Sequence, residues 1–242
     1  MKIPKSIAPD RIKDAIIEIN FESDYPNEVN LGVFFSALKE DYKYTNKPLG
    51  TQQISSNAVN FNKEFTLCLG GISLFYNDKI KFQINNNSIA FNCIGDYILW
   101  ENYSVEIEKV LKIIISTNII KSFKRVGVRY ISEYKNIDLK DSINFNFTFG
   151  FPEVVSNSYS FSTEFDLNEY KVVLNLNNNI PIIVNENVTP TSVIDVDIIK
   201  MSLDIDNFDD LFKIIKDAHA LEKEVFFKLI REDFLSKLDP KY

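Results

Sequence analysis

The stretch Phe123–Tyr134, FKRVGVRYISEY, restricts the fold more than any other part of the chain. Successive side chains of a strand point to opposite faces, so the segment sorts into two sets. Val126, Val128, Tyr130 and Tyr134, with Ser132 among them, share one face, and Arg125, Gly127, Arg129 and Glu133, with Ile131 among them, share the other. The first set must be covered by other elements, which makes this a core strand. The second carries two guanidiniums around a glycine, and such groups need partners or a ligand when removed from water.

A partner is visible in Val193–Ile198, VIDVDI, where Asp195 and Asp197 lie on one face and Ile194, Val196 and Ile198 on the other. Two acids and two arginines on facing strands can neutralise each other across a sheet, and this ion-pair network is the leading expectation. The alternative is a pocket for a small anionic ligand. Arg125 and Arg129 stand roughly 13 Å apart at about 3.3 Å per residue, and they could converge over Gly127 on a phosphate or carboxylate, which guanidinium binds through two parallel hydrogen bonds. Asp195 and Asp197 could also act as general acid and base, but an i, i+2 spacing of acids is common in strands and says little.

Periodicity predicts a strand at 14–22, a helix at 28–42 capped by Asn27 or Asn30, and irregular chain from Lys47 to Asn62. Strands follow at 65–76, 79–84 and 89–94, joined at Asn77-Asp78 and at the asparagine run 85–87, since asparagine tolerates left-handed turn conformations. A helix over 101–117, with Val105, Leu111 and Ile115 on its apolar side, leads into the 123–134 strand. Strands at 145–149, 159–165, 170–176, 180–184 and 193–203 come next. The asparagines 177–179 form a turn, and Pro181 marks an edge strand. A final helix begins at Asp206 or Asn207 and ends near Leu238, ahead of Pro240. This order gives an α+β protein with mainly antiparallel sheets and packing helices. It is one folded unit over 1–242, with sub-halves 1–137 and 143–242 of similar meander-plus-helix plan.

The net charge of −7 disfavours general nucleic-acid binding, because phosphate backbones select basic faces. The longest apolar runs fall short of a membrane span, and the N-terminal residues lack the apolar core of a secretion signal. Two cysteines without close spacing, Cys68 and Cys93, suit a reducing compartment, and a cytoplasmic location is expected. A single histidine, His219, leaves no ligand set for a metal, and the motifs of phosphate loops, dinucleotide folds, serine hydrolases and zinc proteases are missing. No cofactor, metal or catalytic residue is therefore assigned. His219 lies within the last helix beside Glu222 and Lys223, where a histidine is usually a surface or core-edge residue; catalysis by it would need partners from elsewhere, such as an acid on the sheet. Tyr97, Trp100 and Tyr103 cluster at a helix start, either as a core seal or as a ligand platform.

Four segments carry a family resemblance. Ile12–Phe21 (IKDAIIEINF) is similar to an opening PIxEAIxEIRF, Tyr97–Glu101 (YILWE) to YxxWE, Arg125–Ser132 (RVGVRYIS) to RxGLRYIN, and Ala218–Ile230 (AHALEKEVFFKLI) to AHxxIxxxFxxLI. In this order they resemble a sporadically distributed, uncharacterised prokaryotic family of similar length. Asn20 stands where that pattern has arginine, and Ser132 where it has asparagine. The resemblance implies no activity or catalytic residue, and the family's patchy distribution is that of mobile or defence-associated genes. These observations favour a non-enzymatic interaction or ligand-sensing protein that meets a protein partner or a copy of itself. The alternative is an enzyme or binder of a small anionic ligand, with Arg125, Arg129, Asp195, Asp197 and His219 as the binding candidates.

Overall fold

The computed structural model of the protein describes residues 2–46, 73–85, 87–146, 158–184 and 187–242. The loop expected from Lys47, Cys68 and most of the strands expected at 65–76 and 145–149 lie outside them. The architecture is α+β. Nine strands form one antiparallel sheet in the order β2-β3-β4-β5-β1-β6-β9-β8-β7. In chain order these are β1 (Ile12–Glu22), β2 (Lys43–Thr45), β3 (Leu74–Tyr76), β4 (Ile80–Asn85), β5 (Ser88–Cys93), β6 (Ser122–Lys135), β7 (Tyr159–Leu167), β8 (Tyr170–Val184) and β9 (Asn187–Lys200). The helices are α1 (Asn27–Leu38), α2 (Trp100–Ser116), α3 (Phe208–Leu229) and the short α4 (Glu232–Leu235).

β1 opens a run of strands that returns beside it at β5, and β6 opens a second that returns at β9. By strand order the second run thus begins with β6 itself, and β1 and β6 join the two runs in register from Ile12–Ser132 to Glu22–Ser122. Among the described residues the long helices cover one face of the sheet, and the other is called the open face. Ala15, Ile17, Ile19 and Phe21 of β1, Val126 and Val128 of β6, and Ile194, Val196 and Ile198 of β9 are buried on the covered face. They share one core with Ile107, Val110, Leu111 and Ile114 of α2 and Leu211, Ile215 and Ala218 of α3. Each such side chain contributes about 1.5–3 kcal/mol relative to exposure.

Four local expectations are corrected. The first helix ends at Leu38, and Pro26, with its fixed φ, precedes it in place of an asparagine cap; Asn30 is buried instead, its amide donating to Tyr25 O and its carbonyl accepting from Ser23. The buried stripe of α2 is Tyr103, Ile107, Val110, Leu111 and Ile114, whereas Val105 faces solvent. Residues 177–179 are no turn. β8 runs through them with a shift of register against β9 between Asn177 and Ile180, a bulge that leaves Asn179 left-handed at φ 48°. Buried Asn178 holds the bulge by accepting from Leu139 N–H and donating to Asp138. Pro181 does sit where β8 has a single described neighbour, since β7 pairs only as far as Asn178. Finally, α3 stops at Leu229, because Ile230 turns extended to bridge Ile143 and Arg231 N–H bonds Ser142 O.

The N-terminal segment crosses the end of α3 toward β1. It is tied to the C-terminal residues by Lys5 N–H to Lys241 O, Lys241 N–H to Ser6 O and Ala8 N–H to Leu238 O. Among the described residues no helix is long and apolar enough to cross a membrane.

Candidate functional site

Arg125, Arg129, Asp195 and Asp197 all project from the open face of the sheet, and the register sets Arg129 directly opposite Asp197. The ion pairs fall one step diagonally. Arg129 grips Asp195 with both nitrogens, Nε–Oδ1 at 2.9 Å and Nη2–Oδ2 at 2.8 Å, and Asn175 donates to the same carboxylate at 3.0 Å. Arg125 reaches Glu18 of β1 at 3.2 Å, a partner absent from the sequence expectation. To do so its guanidinium lies across Gly127, where a Cβ would stand 3.1 Å from Nη2. The glycine therefore leaves room for an arginine and not for a ligand. Burial raises the Asp197 carboxyl to about 6, against the pull of Arg129 and Arg125.

His219, the fifth candidate, lies on the other side of the sheet and is brought together with groups the sequence reading left unassigned. A cavity of about 310 Å³ opens between the N-terminal segment, the start of α2, the inner face of β6 and α3. From α3 come His219, Glu222, Lys223 and Phe226, one helical stripe at i, i+3, i+4 and i+7, with Phe227 beside it. From β6 come Tyr130 and Ser132, the positions where its inner face turns from valine to polar residues. Tyr97, Leu99, Trp100 and Glu101 supply the α2 side, and Lys5, Ser6, Ile7 and Asp10 the rim.

The aromatic groups interlock. Trp100 stacks on His219 with centroids 3.8 Å apart and planes within 16°. Tyr97 meets Tyr130 edge to face, and their hydroxyls are 3.1 Å apart. The expected aromatic cluster thus divides its labour: Tyr103 is fully buried and donates to Ala15 O at 3.0 Å, sealing the core, while Tyr97 and Trp100 wall the cavity. Trp100 is set in place by Leu99, whose φ of +66° and ψ of 151° are conformations a side chain rarely adopts. Its carbonyl accepts from Asn102 and Tyr103 N–H to start the helix.

Two titratable side chains of the cavity are more than nine-tenths buried. His219 is 7% exposed and Glu222 5%. His219 Nδ1 has no hydrogen-bond partner. Burial pushes the Glu222 carboxyl up to about 8, with Lys223 the only opposing charge of note. Burial, with Lys223 adding to it, holds the imidazole of His219 down at about 3. At neutral pH both are uncharged, so the chamber presents a carboxylic acid, a neutral imidazole and tyrosine hydroxyls between aromatic walls. Lys223 turns its ammonium away to Lys5 O at 3.1 Å. Asp10 is raised by burial at the rim.

Among the described residues no group of three or more His, Cys, Asp and Glu is placed to hold a metal ion. Cys93 is a buried free thiol whose pKa burial lifts to about 11. No protein-family model and no curated protein matches the chain. The sequence reading passed over Glu222, although it occupies the apolar stripe between Ala218 and Phe226, where an acid is out of place. Tyr130 and Ser132 were assigned to the inner face without being connected to a site. The rim from Lys5 to Asp10 carried no signal, because only the tertiary docking of the N-terminal segment brings it there.

Two outcomes follow from these environments. Arg129→Ala strands the Asp195 carboxylate, 2% exposed, and should cost about 3 kcal/mol in urea unfolding. The double change Arg129→Met with Asp195→Leu should cost less than that single one, and an equal or larger loss would show that the pair is more than self-neutralising. Glu222 has a raised pKa in the folded state, so its stabilisation is complete below its unfolded value of 4.5 and declines as pH rises toward about 8. His219 has a lowered one, so its contribution is complete above 6.5 and is lost as pH falls toward about 3. Between pH 6.5 and 8 Glu222 acts without opposition from His219, and Tm should fall with pH there. Glu222→Gln should flatten that fall when the two proteins are compared by calorimetry.

Proposed function

We propose that the chain is a ligand-sensing protein that binds a small molecule in the cavity between α2, α3, β6 and the N-terminal segment. One observation carries this reading: His219, whose Nδ1 has no hydrogen-bond partner among the described residues, and the buried acid Glu222 stand together at the wall of a chamber large enough for a single-ring or fused-ring compound. An unsatisfied buried polar group costs about 1–3 kcal/mol, and a fold retains it against that cost where a ligand completes the bonds. Convergent polar groups inside an aromatic chamber are the usual form of a small-molecule site.

The chain segments that meet at the cavity also suit sensing. Its rim belongs to the N-terminal segment, itself paired to the C-terminal residues. A ligand bridging the rim to α3 would order both ends of the chain against the helix, and a protein partner or a second copy of the chain could read that surface. The missing catalytic motifs favour binding over turnover, and two cysteines without close spacing in the sequence favour an intracellular site of action. The ion pairs of Arg125 and Arg129 argue against the alternative of an anion pocket on the open face.

Glu222→Met separates function from stability. It removes the buried acid at similar volume and should raise Tm by about 2–8 °C, from roughly 1–2 kcal/mol and the usual sensitivity of a chain this size. The same variant should lose the ligand-induced Tm increases that a metabolite thermal-shift screen reveals for the unaltered protein. A variant that is less stable yet keeps every ligand response would contradict the reading.

A further inference from the structure

We propose that the cavity takes a small planar organic cation, such as an amidinium or a protonated amino-heterocycle, with its N–H edge toward Glu222 and His219 and its ring against Tyr97, Tyr130 and Trp100. This inference rests on the cavity being a ligand site, as argued above. Glu222 and His219 lie one helical turn apart on α3 and both line the chamber, and His219 Nδ1 has no hydrogen-bond partner among the described residues. A carboxylate only accepts hydrogen bonds, and a neutral imidazole offers one accepting nitrogen, so the ligand edge that satisfies both is rich in donors. The N–C–N fork of an amidinium matches a carboxylate bidentately, as a guanidinium does. Aromatic faces add attraction for a cation.

The charges around the chamber point the same way. Lys5 and Lys223 are offset by Asp10 and Glu101, and Lys223 is already engaged by Lys5 O. Glu101 occupies the first turn of α2, where the helix dipole would otherwise attract an anion. Tyr97, Tyr130 and Tyr134, which also feel the charge of Glu222, are held protonated by burial. Glu222 is thus opposed by Lys223 alone, whose ammonium is already engaged by Lys5 O. On binding, its carboxyl proton leaves to solvent and the ligand cation takes its place, so the complex keeps its charge and one proton is released.

The test uses the full chain with three isosteric probes: benzamidinium, neutral benzamide and anionic benzoate. Trp100 is the only tryptophan, so its fluorescence reports occupancy of this cavity directly. Benzamidinium should bind most tightly, with an affinity that climbs as pH is raised to about 8 and then levels off. Calorimetry in buffers of different ionisation heat should show proton release at pH 7. Glu222→Gln should weaken benzamidinium by roughly ten- to a hundred-fold. Lys223→Gln, which removes a nearby positive charge, should tighten it. Tighter binding of benzamide or benzoate, indifference to Glu222→Gln, or weakening by Lys223→Gln would overturn the cation assignment and leave the ligand-site reading standing. If none of the three probes perturbs Trp100 at millimolar concentration, both fall.

Discussion

The inner face of β6 sets the terms for the rest of the molecule. It must be covered, since Val126 and Val128 cannot remain in water, and α3 covers it together with β9. Two residues further along, the same face presents Tyr130 and Ser132, and α3 answers with His219 and Glu222 rather than with more aliphatic side chains. One strand and one helix therefore pass, within a single turn, from close apolar packing to a polar chamber. The cavity marks that change of composition along an interface which otherwise packs as a core.

The two faces of the sheet show opposite ways of handling buried charge. On the open face Arg129 and Asp195 satisfy each other at short range with help from Asn175, and Arg125 lies over Gly127 to reach Glu18. Such networks neutralise themselves and leave little for a ligand to gain. On the covered face Glu222 is kept uncharged by desolvation against the pull of Lys223 alone, and burial holds His219 neutral while its ring stacks on Trp100. His219 Nδ1 is left there without a partner among the described residues, and a bound molecule has a bond to supply.

Much of the fold was legible in the sequence because strand alternation and helical spacing are strong local signals. The alternation of 123–134 put the right residues on the right faces, and of the expected network of Arg125 and Arg129 with Asp195 and Asp197 the Arg129–Asp195 pair formed, while Arg125 turned to Glu18. Local signals failed where tertiary contacts overrule them. The asparagines 177–179 read as a turn but form a bulge, since Asp138 and Leu139 supply bonds from another segment. The apolar face of α2 was misplaced, because the stripe through Val105 and Ile115 competes with one through Tyr103 and Ile107 and only packing on the sheet decides between them. The site was hardest to see. Its members come from residues near 5–10, 97–101, 130–132 and 219–227, and nothing but the folded arrangement brings these together.

Everything distinctive about this chamber turns on the protonation state of one carboxyl. The most direct measurement is a carbon-detected NMR titration of the Glu222 side chain in the unliganded protein. A midpoint near 8 is predicted, with the carboxyl neutral at pH 7. A midpoint near the ordinary 4.5 would mean that Glu222 is solvated or paired, and the account of the cavity as an unfilled ligand site would not stand.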